Sequence, residues 1–155
     1  MFRSIVVGTD GSATATEAVR RAGILANAFG ADLHVVTAYR VPAMVLAGSA
    51  EPGVLPTAVL QWEAAARDDA CHLLDTVATG LIGVGDSLTT HAVLAHPATA
   101  ILSVAEEVGA DLIVVGNRGM QGPRRMLGSI PNHVSHHAHC DVLVVDTIGT
   151  AGALV

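Results

Sequence analysis

Four short runs of aliphatic, mostly β-branched residues constrain this chain more than anything else in it. They are Ser4-Ile5-Val6-Val7, Leu33-His34-Val35-Val36, Leu112-Ile113-Val114-Val115 and Val142-Leu143-Val144-Val145. They are nearly continuous and do not alternate with polar residues. A strand with one wet face alternates, whereas a strand buried on both faces reads as an unbroken apolar run. Burial on both faces belongs to parallel sheets covered by helices. Leu88 to Leu94, rich in Thr and Val, is a weaker fifth candidate.

Helical patterns separate these runs. Ala15, Val19, Ala22, Leu25 or Ala26, and Phe29 recur at spacings of three and four, the signature of one apolar helix face. Thr14 with Glu17 has the form of a capping box, and Gly30 is a natural stop. A second helix is predicted from about Thr57 to Ala78, with Trp62, Ala66, Ala70, Leu73 or Leu74, and Val77 facing inward. Cys71 on that helix reads as core. Pro97 begins a third, with Ile101, Val104, Ala105 and Val108 on one face and Gly109 at its end. Ser129 is placed to cap a fourth, from about Ile130 to Ala138, with Pro131 in its first turn. The resulting order is β-α-β-α-β-α-β-α-β, which implies an open, parallel, doubly wound α/β sheet with right-handed crossovers. At 155 residues the chain is expected to be one domain, 1–155. Residues 40–56, with three Pro and two Gly, read as a mobile loop, and 147–155 as a loose or partner-packed tail.

Composition removes several function classes. The chain is 51% hydrophobic and 14% charged, which excludes intrinsic disorder. Fourteen Asp and Glu outnumber eight Arg, there is no Lys, and the net charge is −6. Such a domain repels phosphate backbones, so no nucleic acid is expected as partner. With 3% aromatic residues it is also poor in base-stacking platforms. No apolar stretch reaches the ~18 residues of a membrane span, and the N-terminus lacks the form of a signal peptide. A soluble, cytoplasmic protein is the expectation.

Ligands of open α/β sheets bind beyond the carboxyl ends of the strands, where strand order reverses. Two strands end in distinctive segments. The first runs into Gly8-Thr9-Asp10-Gly11-Ser12. The fourth runs into Gly116-Asn117-Arg118-Gly119-Met120-Gln121-Gly122-Pro123-Arg124-Arg125-Met126-Leu127-Gly128-Ser129, which feeds a helix. Glycines let backbone N–H groups approach a ligand closely. Gly128 and Ser129 sit where free N–H groups and the helix dipole favour an anion. Arg118, Arg124 and Arg125 add positive charge to an acidic protein. The plainer alternative is a loop whose glycines serve only tight turns. Asp10 is placed to accept ribose hydroxyls or to hold a divalent ion. Its plainer alternative is that Asp10 or Ser12 caps the first helix.

These segments together resemble the universal stress protein family, over Ser4 to about Asp146. Thr9-Asp10-Gly11-Ser12, Gly109 to Gly116, Gly116-Asn117-Arg118-Gly119 with Gly128-Ser129, and Cys140 to Val145 carry the likeness. The resemblance implies a five-stranded, Rossmann-like sheet of the adenine nucleotide alpha hydrolase-like type, usually dimeric. It implies a cleft for ATP or AMP, with Mg2+ as a possible companion ion. By this likeness Gly8, Thr9 and Asp10 lie against adenine and ribose, and Ala38 touches the adenine. Gly116 to Gly119, through Asn117 and Arg118, meet ribose and phosphates, and Met120, Gln121 and Gly122 are counted with the nucleotide-binding loop. Gly128, Ser129 and Ile130 hold the outer phosphates. Ala95 stands where the family often has glycine. Eight residues separate Gly119 from Gly128, one fewer than the family's nine. A homodimer through the last strand is likewise implied.

Other motifs point elsewhere. No GxxxxGK[ST] occurs, and Gly83-Val84-Gly85 precedes a strand in place of a helix, so its glycines read as turn residues. His133, His136, His137 and His139 precede Cys140. The i,i+4 pair His133 and His137 suits zinc or nickel, but no acidic base lies between them, and solvated histidines are the expectation. No catalytic residue and no metal site is assigned. The reading is an adenine-nucleotide-binding stress-response sensor or regulator. The alternatives are a dimeric interaction protein that binds no nucleotide, and a slow ATP hydrolase.

Overall fold

The computed structural model describes residues 1–47, 57–81, 87–117 and 130–147. Five strands form one sheet: β1 (Ser4–Gly8), β2 (Asp32–Tyr39), β3 (Leu88–Leu94), β4 (Leu112–Gly116) and β5 (Asp141–Val145). Their order is β3-β2-β1-β4-β5, and every pairing is parallel. The helices are α1 (Ala13–Phe29), α2 (Ala43–Ala47), α3 (Thr57–Gly80), α4 (Pro97–Glu107) and α5 (Ile130–His137). The weakest predicted strand, Leu88–Leu94, forms with those bounds.

The unbroken apolar runs follow from burial on both faces. Ile5, Val7, Leu33, Val35, Leu112 and Val114 pack with Ala18, Val19, Ala22 and Ala26 of α1 and Leu74 of α3. Their alternates Val6, Val36, Ile113 and Val115 face Ala100, Ile101 and Val104 of α4 and Val134 of α5. Two cores of small aliphatic residues thus sandwich the sheet, and β1 sits at its centre. Each buried Val or Leu contributes about 1.5–3 kcal/mol, so these two layers dominate the stability.

Helix ends correct part of the sequence reading. The cap of α1 is Ser12, in extended conformation, whose hydroxyl accepts from the Ala15 N–H at 3.3 Å. No Thr14–Glu17 capping box forms. Glu17 instead reaches forward along the helix to Arg20 and Arg21, at 2.8 Å each. Gly30 ends α1 at φ +64°, where its N–H donates to the Ala26 carbonyl. Gly109 follows α4 at φ +60°.

α3 is the main departure. Its buried residues are Val59, Ala70 and Leu74, whereas Trp62 is 52% exposed and Cys71 is exposed. At 100° per residue, Trp62 and Cys71 sit roughly 90° from the buried stripe, on opposite sides of it. The helix packs chiefly on β2 and β3 at the sheet margin, so its buried stripe is narrow and side chains beside it stay wet. Within the predicted loop 40–56, Ala43–Ala47 form the short helix α2; 48–56 lie outside the described residues. Of the predicted tail, Thr147 is described and is buried.

Candidate functional site

β1 and β4 are neighbours, and the chain leaves them in opposite directions across the sheet, to β2 and to β5. This is the switch point of a doubly wound sheet. A cleft of about 190 Å³ opens there. β1 and the loop after it supply Gly8, Thr9, Asp10 and Ser12, β2 supplies Val36 and Ala38, and β4 supplies Val115 and Gly116. Thr14 and Ala15 of α1, Pro97 and Ile101 of α4, and Ile130 and Pro131 of α5 complete the wall.

The loop after β1 is fixed by its own polar groups. The Thr9 N–H donates to the Val36 carbonyl at 2.8 Å, which extends the ladder past the end of β1. The buried Thr37 hydroxyl donates to the Thr9 carbonyl at 2.6 Å. The Gly11 N–H donates to the Thr9 hydroxyl at 3.2 Å, and the Ser12 N–H to the Asp10 carboxylate at 3.0 Å. These bonds turn the chain from strand to helix within a few residues. Gly11 has φ +75°, and a Cβ there would stand 2.8 Å from Leu73 of α3. A Cβ at Gly8 would stand 2.5 Å from Ile101 Cδ1. The absent side chain at Gly8 therefore leaves Ile101 lying directly over the end of β1.

The cleft has two chemical characters. Val36, Ala38, Pro97, Ile101, Val115 and Pro131 give it apolar surfaces. Thr9, Asp10, Ser12 and Thr14 give it a polar wall at the mouth of α1, where the Ser12 and Thr14 hydroxyls lie 3.1 Å apart. An apolar slot bordered by a carboxylate and hydroxyls suits a flat, weakly polar ring joined to a polyol.

The sequence reading is met unevenly. Gly8, Thr9, Asp10, Ala38, Gly116 and Ile130 converge on this cleft. Ala95 does not line it: its N–H donates to the Tyr39 carbonyl, and it packs on the α4-side core. Asn117 turns away toward β5. Its amide nitrogen donates to Asp146 at 2.8 Å, and its amide oxygen accepts from the Thr147 N–H and hydroxyl at 3.1 and 3.0 Å. Arg118, Gly119, Met120, Gln121, Gly122, Gly128 and Ser129, with Arg124 and Arg125, lie outside the described residues. Sequence reasoning missed Ser12, Thr14, Ala15, Val36, Pro97, Ile101, Val115 and Pro131 as cleft residues. Val36 and Val115 were legible, since each stands near the carboxyl end of a predicted strand flanking the first.

The histidine cluster near the C-terminus is arranged as a stack. The His133 and His137 rings lie 4.2 Å apart at 17°, and His137 Nδ1 donates to the His133 carbonyl at 2.8 Å. Among the described residues no three His, Cys, Asp or Glu side chains come together to hold a metal. Cys140 is half-buried against the α4-side core. Burial, then Asp141 and Asp111, pushes its thiol up from the ordinary range, which suits a packing role.

A parallel sheet of this strand order, with helices on both faces and a cleft at its switch point, defines a doubly wound α/β domain. The family model of the universal stress protein family matches residues 1–146, and the chain belongs to that family. It is 32% identical to Universal stress protein MJ0531 of Methanocaldococcus jannaschii over 149 residues, 94% of this chain and 82% of the relative. It is 32% identical to Universal stress protein Rv1636 of Mycobacterium tuberculosis over 156 residues, 94% of this chain and 97% of the relative. Among solved structures, a universal stress protein in complex with cAMP superposes with a TM-score of 0.73 at 32% identity. That match covers 94% of this chain and 98% of the other. No helix among the described residues is long and apolar enough to cross a membrane.

Proposed function

We propose that this protein binds an adenine nucleotide in the switch-point cleft and acts as a stress-response sensor or regulator. The observation that carries the reading is the convergence of Gly8, Thr9, Asp10, Ala38 and Gly116, named from the sequence, on one cleft. The likeness to a family member in complex with cAMP supports it. In this reading the adenine lies against Val36, Ala38 and Ile101, and Asp10 accepts ribose hydroxyls. Arg118 to Gly122, with Gly128, Ser129 and the start of α5, receive the phosphates, and Mg2+ accompanies a triphosphate. Asn117 contributes backbone only, since its side chain is spent on Asp146 and Thr147. The protein works in the cytoplasm as a homodimer joined through β5.

Calorimetric titration with ATP, AMP and cAMP tests the reading. Saturable binding is expected for at least one. It should be lost in Gly128→Val, where a branched side chain replaces the close backbone approach that phosphates need. Absence of binding by all three, or unchanged affinity in that variant, overturns it.

A further inference from the structure

Away from the cleft lining, a pair of histidines bridges two neighbouring strands near the sheet margin. β2 and β3 pair in parallel with His34 opposite Thr89 and Val36 opposite His91. His34 and His91 are therefore diagonal neighbours on the α4 side of the sheet. His34 Nδ1 and His91 Nε2 share a hydrogen bond of 3.1 Å, one ring nitrogen donating and the other accepting according to the tautomer, with the ring centroids 5.3 Å apart and the planes at 44°.

We propose that His34 Nδ1 and His91 Nε2 form a binding site for a divalent transition cation of the Cu2+ and Zn2+ class. Two nitrogens on one metal at bond lengths of 2.0–2.1 Å are separated by roughly 2.8–3.0 Å at a right angle and roughly 3.3–3.4 Å at the tetrahedral angle. The observed separation falls between these values. The strand ladder fixes both Cα positions, so binding requires that the hydrogen bond open, that the donating ring carry its proton on its other nitrogen, and that the rings turn from facing each other to facing a common point. Rotation about the terminal ring torsion lies in a broad well. Imidazole donors favour Cu2+ over its neighbours in the series and also suit Zn2+.

The surroundings fit a cation. Burial holds both imidazoles below the ordinary histidine range, and at His34 the neighbouring His91 adds to the effect. Asp32 acts on His34 and Glu107 on His91 in the opposite sense, so a carboxylate stands near each ring to offset an incoming positive charge. Both side chains remain half-exposed, which leaves a path for entry. Among the described residues no third ligating side chain joins them. Water fills the remaining positions, so the site is exchangeable and weaker than a closed structural site. At the stacked pair His133 and His137, by contrast, His137 Nδ1 is already spent on the His133 carbonyl.

The test uses the full chain and Cu2+, titrated by calorimetry and read by the nitrogen hyperfine pattern of its paramagnetic resonance. One equivalent held by two imidazole nitrogens is expected. His34→Asn and His91→Asn should each weaken binding by about tenfold or more, and His133→Asn should leave it unchanged. In the unmutated protein, Zn2+ should shield His34 and His91 from carbethoxylation by diethyl pyrocarbonate. The proposal is overturned by no binding of Cu2+, by binding retained in the His34→Asn, His91→Asn double variant, or by shielding at other histidines only.

Discussion

At the scale of single residues, the site depends on what is missing as much as on what is present. Gly8 lacks a Cβ where one would meet Ile101 Cδ1 at 2.5 Å. The obstructing atom is the far end of a flexible side chain, so Gly8→Ala should fold, at a cost of about 1–3 kcal/mol for the local overpacking. Ile101 must swing across the cleft floor to make room. A loss of nucleotide affinity larger than the loss of stability is therefore expected, measured by calorimetry beside urea unfolding. The importance of Gly8 was legible because it ends a buried strand. The direction of the Asn117 side chain was not, because its partners Asp146 and Thr147 follow β5, nearly thirty positions along the chain, and meet it only once β4 and β5 have paired. Glu17 gives a second residue-scale prediction. Its hydrogen bonds to Arg20 and then Arg21 lower its carboxyl from 4.5 to about 2. A depressed folded-state value means the interaction is fully present above pH 4.5 and is lost as pH falls toward 2. Carboxyl titration by nuclear magnetic resonance should show this, and Glu17→Gln should flatten the stability profile across that window.

At the scale of elements, strands were easier to read than helix faces. An unbroken valine run specifies two-sided burial wherever it occurs, whereas a helix face depends on how much sheet lies beneath it. α3 shows this. The spacing that placed Trp62 inward is a valid helical period, but the stripe that is buried is that of Val59, Ala70 and Leu74. Trp62→Gln is accordingly expected to change unfolding free energy by no more than about 0.5 kcal/mol, the range of surface substitutions. α1 shows the converse. Ser12 and Thr14 compete as caps in the sequence, and the tight turn through Gly11 decides for Ser12. Ser12→Ala should cost about 1 kcal/mol, and because Ser12 also lines the cleft, nucleotide affinity should fall with it. A thermal melt with and without ligand separates the two effects, since the ligand contribution grows with ligand concentration and the capping contribution does not.

At the scale of the molecule, strand order decides which groups meet. Alternating elements announce a parallel sheet, but the placement of β4 beside β1 follows from packing α4 and α5 on the face opposite α1 and α3. That placement creates the cleft, and among the described residues it leaves β5 paired on one side only, to β4. β5 is short and aliphatic, with Leu143 and Val144 39% and 36% exposed. An apolar edge with unpaired N–H and C=O groups invites another strand, and natural proteins usually blunt such edges with charge, proline or a cover. Between Asp141 and Val145 there is neither lysine nor proline. Pairing with the β5 of a second copy about a two-fold axis would satisfy the backbone and bury both side chains at once. Light scattering at micromolar concentration should therefore give the mass of a dimer, and the melting temperature should rise with protein concentration, as it does when folding and association are linked. Leu143→Lys with Val144→Lys places charge on both faces of the edge. It should yield a monomer whose melting temperature no longer depends on concentration. Because the cleft lies at the ends of β1 and β4, one strand inward, that monomer should still bind nucleotide. A wild-type monomer, or a double variant that still dimerises, would place the assembly surface elsewhere.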